Sequence, residues 1–375
     1  MKIINKIIKN FFIIFFFPYF FFESLIIILK NKNKIFKSKY IIRIDGVGYG
    51  HTLTLPDMIR YFLPMDETLI ILSLDNLRHN HFVFEIYKIQ KILFRTFYSF
   101  KIKNKTLSLG NNNYKSNFII KFTNKLIKYF SKNNSVIFNS CWDFYDFVEK
   151  NFQHKNIEEF SYKYMMIYFY AIKINKLPKP ILEEKFIFKY LKINEYKKLK
   201  QNKICCWYFR QKGTIENKES YYRSGGDEND YLKSIQYLIN KGYTILLTGE
   251  EVISQKKLKT YNNNIIDFNT LRVPKFFFDI FAATECDIFI GEAGGGQFHG
   301  LYAKKSIMIN YFPYGYHLYN SRMLYKNIID ENGNVLEYDY CLKKYKNTYN
   351  LKNNHSLVNN NKDQIYEHIS KYINS

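Results

Sequence analysis

Three consecutive glycines stand in GEAGGGQFHG, residues 291–300, between an apolar run and a segment of helical character. Gly294, Gly295 and Gly296 let backbone approach a bound group closely, and the N–H groups of a helix opening at Gln297 would face an anion. The chemistry implied is phosphate or diphosphate binding; a tight turn that simply needs glycine is the alternative. No Gly-Lys-Ser/Thr follows and the spacing is not GxGxxG, so the ligand class stays open. Glu292 could accept from ribose or sugar hydroxyls, or be a solvated strand-end carboxylate.

Arg210 closes the apolar run ICCWYFR, at the same C-terminal edge as the glycines if the sheet is parallel. A guanidinium there forks two phosphate oxygens, which one lysine does less well. Arg223 follows in YYRSGGDEN, where two glycines fit a closing lid, and Gly249 ends the next apolar run, YTILLTG. The chain has only eight arginines, so two at one edge are informative. A surface ion pair is the alternative for each.

A second loop, IDGVGYGH at 44–51, alternates glycines and ends on His51. The third glycine of a dinucleotide fingerprint would fall at His51, so this is a weak match. Gly48, Tyr49 and Gly50 instead form a close-approach surface beside one titratable group. An imidazole of ordinary pKa, about 6.5, suits removal of a proton from a hydroxyl. His51 is the first candidate base and Asp45 the second; a capping histidine is the alternative. Asp57, His79 and His81 are weaker, and HNH without further ligands is a poor metal site. No metal and no cofactor are expected.

These residues need strands that end together. KYIIRID, ETLIILSL and SVIFNS read as strands, FVFEIYKIQKILFRTFYSF as a long apolar helix, and 157–175 as helical. LPKPIL marks a boundary. Beyond it ICCWYFR, YTILLTG, IIDF, CDIFI and SIMINYF are strands. YLKSIQYLINKG, with an N-cap near Asn229 and Gly242 as its C-cap, is a helix, as are VPKFFFDIFAAT, QFHGLYA and DQIYEHISKYIN. Alternating buried strands and helices predict an α/β fold with parallel sheets and a site at the strands' C-terminal ends. The expected divisions are an apolar segment 1–39, an N-terminal α/β domain 40–180, a C-terminal α/β domain 181–345, and a loop and helix 346–375.

With 375 residues, 47% hydrophobic and 19% aromatic, the chain is neither a small peptide nor disordered. Its 56 basic residues against 33 acidic give +23, mostly lysine, as an A/T-rich codon bias would produce on a solvated surface. Five cysteines without a CxxC pair fit a reducing compartment and packing roles. Residues 11–29, FFIIFFFPYFFFESLIIIL, are flanked by lysines and broken by Pro18 and Glu23. They read as a retained in-plane or re-entrant anchor on the cytoplasmic face of the inner membrane. An N-terminal helix covering an apolar groove of the body is the alternative.

The order WYFRQKG, YYRSGGDENDYLKSIQYLINKGYTILLTGE, DIFIGEAGGGQFHGLYAKKSIMINYFP resembles a bacterial glycosyltransferase family linked to surface polysaccharides, with distant likeness to fucosyltransferase-type C-terminal domains. The likeness covers residues 40–340 and is most specific at 204–312. It implies a GT-B architecture of two Rossmann-type domains facing across a cleft, a nucleotide-sugar donor on the second and an acceptor on the first, without a metal. Arg210 corresponds to the arginine that meets the donor diphosphate, Arg223 to the arginine of the next loop, and Gly294 to Gln297 to the phosphate-facing loop. Many relatives have histidine two residues before that arginine; this chain has Tyr208. The function implied is inverting transfer of a sugar to a surface glycan or lipid-linked acceptor, with no nucleic acid as partner. Rival readings are a pyruvyl- or other group transferase, and a noncatalytic membrane-bound binder of polyanions or RNA.

Overall fold

A computed structural model of the protein describes residues 18–19, 21–44, 49–73, 83–88, 90–94, 98–102, 105–109, 118–152, 163–175, 179, 181–210, 222, 225–226, 229–249, 263–315, 318, 321–346, 348 and 350–375. The chain divides into two compact units, Met1–Lys176 and Leu177–Ser375. Pro178 and Pro180 of the expected boundary lie outside the described residues.

Unit 1 opens with helix α1 (residues 21–30) and α2 (Lys32–Lys37). Its strands are β1 (Tyr40–Ile44), β2 (Thr68–Ser73), β3 (Gln90–Phe94) and β6 (Val136–Phe138), with a separate antiparallel pair β4 (Tyr98–Ile102) and β5 (Lys105–Leu109). Its other helices are α3 (Tyr49–Phe62), α4 (Val83–Ile86), α5 (Phe118–Phe130), α6 (Cys141–Asn151) and α7 (Lys163–Asn175). The main sheet is wholly parallel, in the order β3-β2-β1-β6. Branched apolar runs such as YIIRI suit strands covered on both faces. Arg43 in β1 is buried and donates to Thr123 Oγ1 (2.9 Å) and to Asn124 of α5.

Two expectations change here. Residues 82–100 are not one helix: a single short turn is followed by β3, which extends the parallel sheet beside β2, and then by β4. The run IYKIQKILF carries aromatic and branched residues that fit both periods, and pairing beside β2 decides between them. The apolar N-terminus also differs from a free anchor. Ile28 and Ile35 are fully buried and pack with Ile41, Leu69, Ile71, Ile92 and Ile127 in the core of unit 1. Among the described residues no helix is long and apolar enough to cross a membrane; residues 1–17 lie outside them.

Unit 2 begins with α8 (Glu184–Tyr190) and α9 (Ile193–Lys200) and builds a six-stranded sheet from β7 (Lys203–Phe209), β8 (Tyr243–Gly249), β9 (Ile265–Ile266), β10 (Ile288–Gly291), β11 (Lys305–Tyr311) and β12 (Ser321–Tyr325). Every pairing is parallel, and the order is β12-β11-β10-β7-β8-β9. Read from the other edge, this is the doubly wound order 3-2-1-4-5-6, whose direction reverses between β7 and β10. A short pair, β13 (Asn327–Ile329) and β14 (Ser356–Val358), is antiparallel.

Helices α10 (Asn229–Asn240), α11 (Lys275–Glu285), α12 (Tyr338–Tyr345) and α13 (Lys362–Asn374) complete unit 2. α10 begins at Asn229 and is followed by Gly242 at φ +84°, the left-handed position that glycine takes freely. Asn361 and Gln364 form a reciprocal capping box on α13, worth about 1 kcal/mol. Trp207, Ile235, Leu238, Ile365 and Ile369 share one core, so α13 is a structural layer of this unit. QFHGLYA is a 3-10 helix, Gly295–Leu301, rather than an α-helix.

Candidate functional site

Four parallel strands of unit 2 end on one edge, and the residues just past them converge. Gly291 of β10 pairs with Tyr208 of β7, which places Arg210 and Glu292 side by side at the reversal of strand order. In open α/β sheets ligands bind in the crevice outside that point, because the chain leaves the two strands towards opposite faces. Lys326, directly after β12, belongs to the same edge.

Glu292 is 1% exposed, and its carboxylate is already in use. Oε2 accepts from Arg210 N (3.0 Å), while Oε1 accepts from Gly226 N (3.0 Å) and from the hydroxyl of Tyr231. Burial pushes its pKa up, opposed by these hydrogen bonds and by the charge of Lys326. The carboxylate therefore braces the end of β7 against the Gly225–Gly226 loop, instead of offering free oxygens to a sugar. The brace continues inward: Asn310 Nδ2 donates to Tyr231 Oη (3.3 Å), and Asn310 Oδ1 accepts from Asn360 N (2.7 Å) and Nδ2 (3.1 Å). Asn359 Nδ2 donates to Gly225 O (3.0 Å).

Arg210 is partly exposed and donates from Nη1 to Ala293 O (3.0 Å). A Cβ added at Gly294 (φ +155°) would fall on that Nη1 and lie 3.1 Å from Tyr208 Oη; one at Gly296 would fall in the Tyr208 ring. Hence Gly296 is required by the Tyr208 ring against it and Gly294 by its own backbone at φ +155°, with the tip of Arg210 lying beside it. At these two positions the protein's own packing and backbone account for the glycine, the alternative that the sequence left open beside phosphate binding. Gln297 is also engaged: its N–H donates to Gly294 O (3.1 Å), and its Oε1 accepts from Tyr311 Oη (2.7 Å). Gly295 is the partly exposed glycine of the three.

Beneath the loop His299 is fully buried, with its ring edge-on to Tyr208 and Phe289, and burial pushes its pKa down to about 3. Lys326, 2% exposed, was not anticipated from the sequence. Burial lowers its pKa to about 8, with Glu292 raising it and Arg210 lowering it further. Its signal was its place after a strand, but residues 321–325 were not read as one.

Gly249 ends β8 opposite Phe209, and at φ +103° an added Cβ would meet the Phe209 carbonyl. Close strand ends are reason enough for this glycine. Arg223 lies outside the described residues, as do Asp45, Gly48, His79 and His81. Tyr49, Gly50 and His51 open α3, so the helix begins inside the expected loop; their side chains lie outside the described residues. Asp57 is engaged in a buried cluster, with Arg60 Nε at 2.5 Å and Tyr168 Oη at 2.6 Å. Burial raises its pKa against these partners.

No family model and no curated protein matches the chain. Among solved structures, it is similar to a glycosyl transferase of family 9 from Veillonella parvula, at 10% identity and TM-score 0.46 over 91% of this chain and 98% of that one. It is similar also to the E. coli ADP-heptose LPS heptosyltransferase II, at 10% identity and TM-score 0.46 over 88% and 98%. The wall teichoic acid polymerase TagF aligns at 12% identity and TM-score 0.31 over 99% of this chain and 93% of that chain.

Proposed function

We propose that the protein is a glycosyltransferase of the GT-B type, moving a sugar from a nucleotide-sugar to a surface glycan or lipid-linked acceptor. The observation that carries the reading is the placement of Arg210, held by Ala293 O, at the strand-order reversal of unit 2. That crevice is where doubly wound sheets take nucleotides, and a guanidinium there suits a diphosphate. The sequence resemblance at 204–312 supports the same role for Arg210.

The transfer is inverting and needs no metal in this reading. Arg210 and Lys326 supply positive charge as the diphosphate departs, the electrostatic contribution that is usually largest in such reactions. Glu292 acts as a positioning residue, and Gly295 is the glycine at which backbone meets the phosphates. His51 of unit 1 removes the acceptor hydroxyl proton, with Asp45 as the second candidate.

Calorimetric titration with UDP-, GDP-, ADP- and CMP-sugars tests the donor. One nucleotide class binds, and a ligand at 100 times its dissociation constant stabilises the protein by about 2.7 kcal/mol. Absence of binding by all four overturns the reading.

A further inference from the structure

A surface in unit 1 shares no residue with the Arg210 site. Hydrogen bonds from Asn31 N to Ile27 O (3.2 Å) and from Ile35 N to Asn31 O (3.1 Å) join α1 to α2 across a turn at Asn31, giving a rod of two short helices over residues 21–37. At 3.6 residues per turn, Ile28 and Ile35 lie on one side, where they fill the core. Phe22, Ile26, Leu29 and Phe36 turn away from that side, exposed by 57%, 49%, 44% and 56%. The rod is therefore apolar on two faces, and the body of unit 1 covers one of them.

An exposed apolar stripe on a helix whose other side is already buried calls for an apolar medium of its own. The borders of the exposed stripe decide which medium. Lys30, Lys32, Lys34 and Lys37 are exposed beside it, and Lys132 Nζ lies 5.4 Å over the Phe36 ring. A bilayer with anionic headgroups accepts both components: aromatic and aliphatic side chains sink to the acyl boundary while lysines reach phosphates at the level above. Among the described residues no helix is long and apolar enough to cross a membrane, and one side of the rod is packed in the core of unit 1, an arrangement that suits a rod lying in the plane. We propose that this face docks unit 1 on an anionic lipid surface, with Phe22, Ile26, Leu29 and Phe36 inserted and the lysines at headgroup level. The formal charge of +23 adds long-range attraction to such a surface.

The test uses the full chain and vesicles of phosphatidylcholine alone or mixed equally with phosphatidylglycerol. Sedimentation should show binding to the mixed vesicles at least about tenfold tighter than to neutral ones. The variant Phe22→Ser/Ile26→Ser/Leu29→Ser/Phe36→Ser should lose about tenfold or more of that binding while keeping the wild-type melting temperature, because all four side chains face outward. Should this variant fail to fold, Leu29→Trp reads the same contact, and its emission should be quenched by acyl-brominated lipid. Equal binding by the fourfold variant, or a Trp signal untouched by the bromines, overturns the proposal. So does a wild-type dimer that the fourfold variant converts to monomer, since that assigns the face to a second copy.

Discussion

Arg210 and Lys326, which follow β7 and β12, bring two cations to one sheet edge near the Glu292 carboxylate, and each responds differently to change. Arg210 offers a planar fork, so Arg210→Lys keeps the charge and loses the paired geometry. Nucleotide-sugar affinity should fall by about 1 to 3 kcal/mol in calorimetry, with an unchanged fold. Unaltered affinity removes Arg210 from the donor site. Lys326 loses its proton near pH 8. If its charge meets the donor, binding should weaken as pH rises through about 8, and Lys326→Met should abolish that step while binding weakly throughout. The position of Arg210 at a strand end was legible because such ends are visible as apolar runs. Lys326 was illegible because lysine is common in this chain, and only the partner β11 turns SRMLY into a strand. The role of Glu292 was misread for a related reason: sequence shows a carboxylate beside glycines, but not the three donors that converge on it.

At the level of elements, the unit of β10, the glycine loop and the 3-10 helix works as a packing device. Gly296→Ala would drive a methyl into the Tyr208 ring and should cost about 1 to 3 kcal/mol of stability, measured as a lowered denaturation midpoint. Adding Tyr208→Ala should return part of that loss, relative to Tyr208→Ala alone. Independent, additive losses would show that the two groups do not compete for the same space. The central strands of unit 2, β7, β8, β10 and β11, were readable because each is a continuous apolar run bounded by turn residues, as strands covered on both faces must be. Unit 1 was less readable, since residues 82–109 make short strands whose identity depends on neighbours distant in sequence. α5 follows Ser116-Asn117, residue types that suit a helix start, and no strand or helix was expected there.

For the whole molecule, acid should act through His299. Its folded pKa is about 3 against about 6.5 in an unfolded chain. Between those values the unfolded state holds a proton that the folded state refuses, so stability is fully present above pH 6.5 and falls as pH drops towards 3. The slope is about 1.4 kcal/mol per pH unit, or about 2 kcal/mol lost between pH 6.5 and pH 5. Urea midpoints at these two pH values check it, and His299→Leu should flatten the dependence. Turnover tests the division of labour between the units: His51→Ala should lower it by about 10² to 10⁴ and leave donor affinity nearly unchanged. A variant with full turnover moves the base elsewhere. The brace from Gly225 to Asn359 spans 134 positions of sequence. During synthesis, then, β7, β10 and their loops exist well before the asparagines that hold them, and a product halted short of Asn359 carries the donor strands without their clamp. The crevice edge is thus clamped only once Asn359 has been added, and if that crevice holds the donor, a copy terminated before Asn359 should fail to bind nucleotide-sugar.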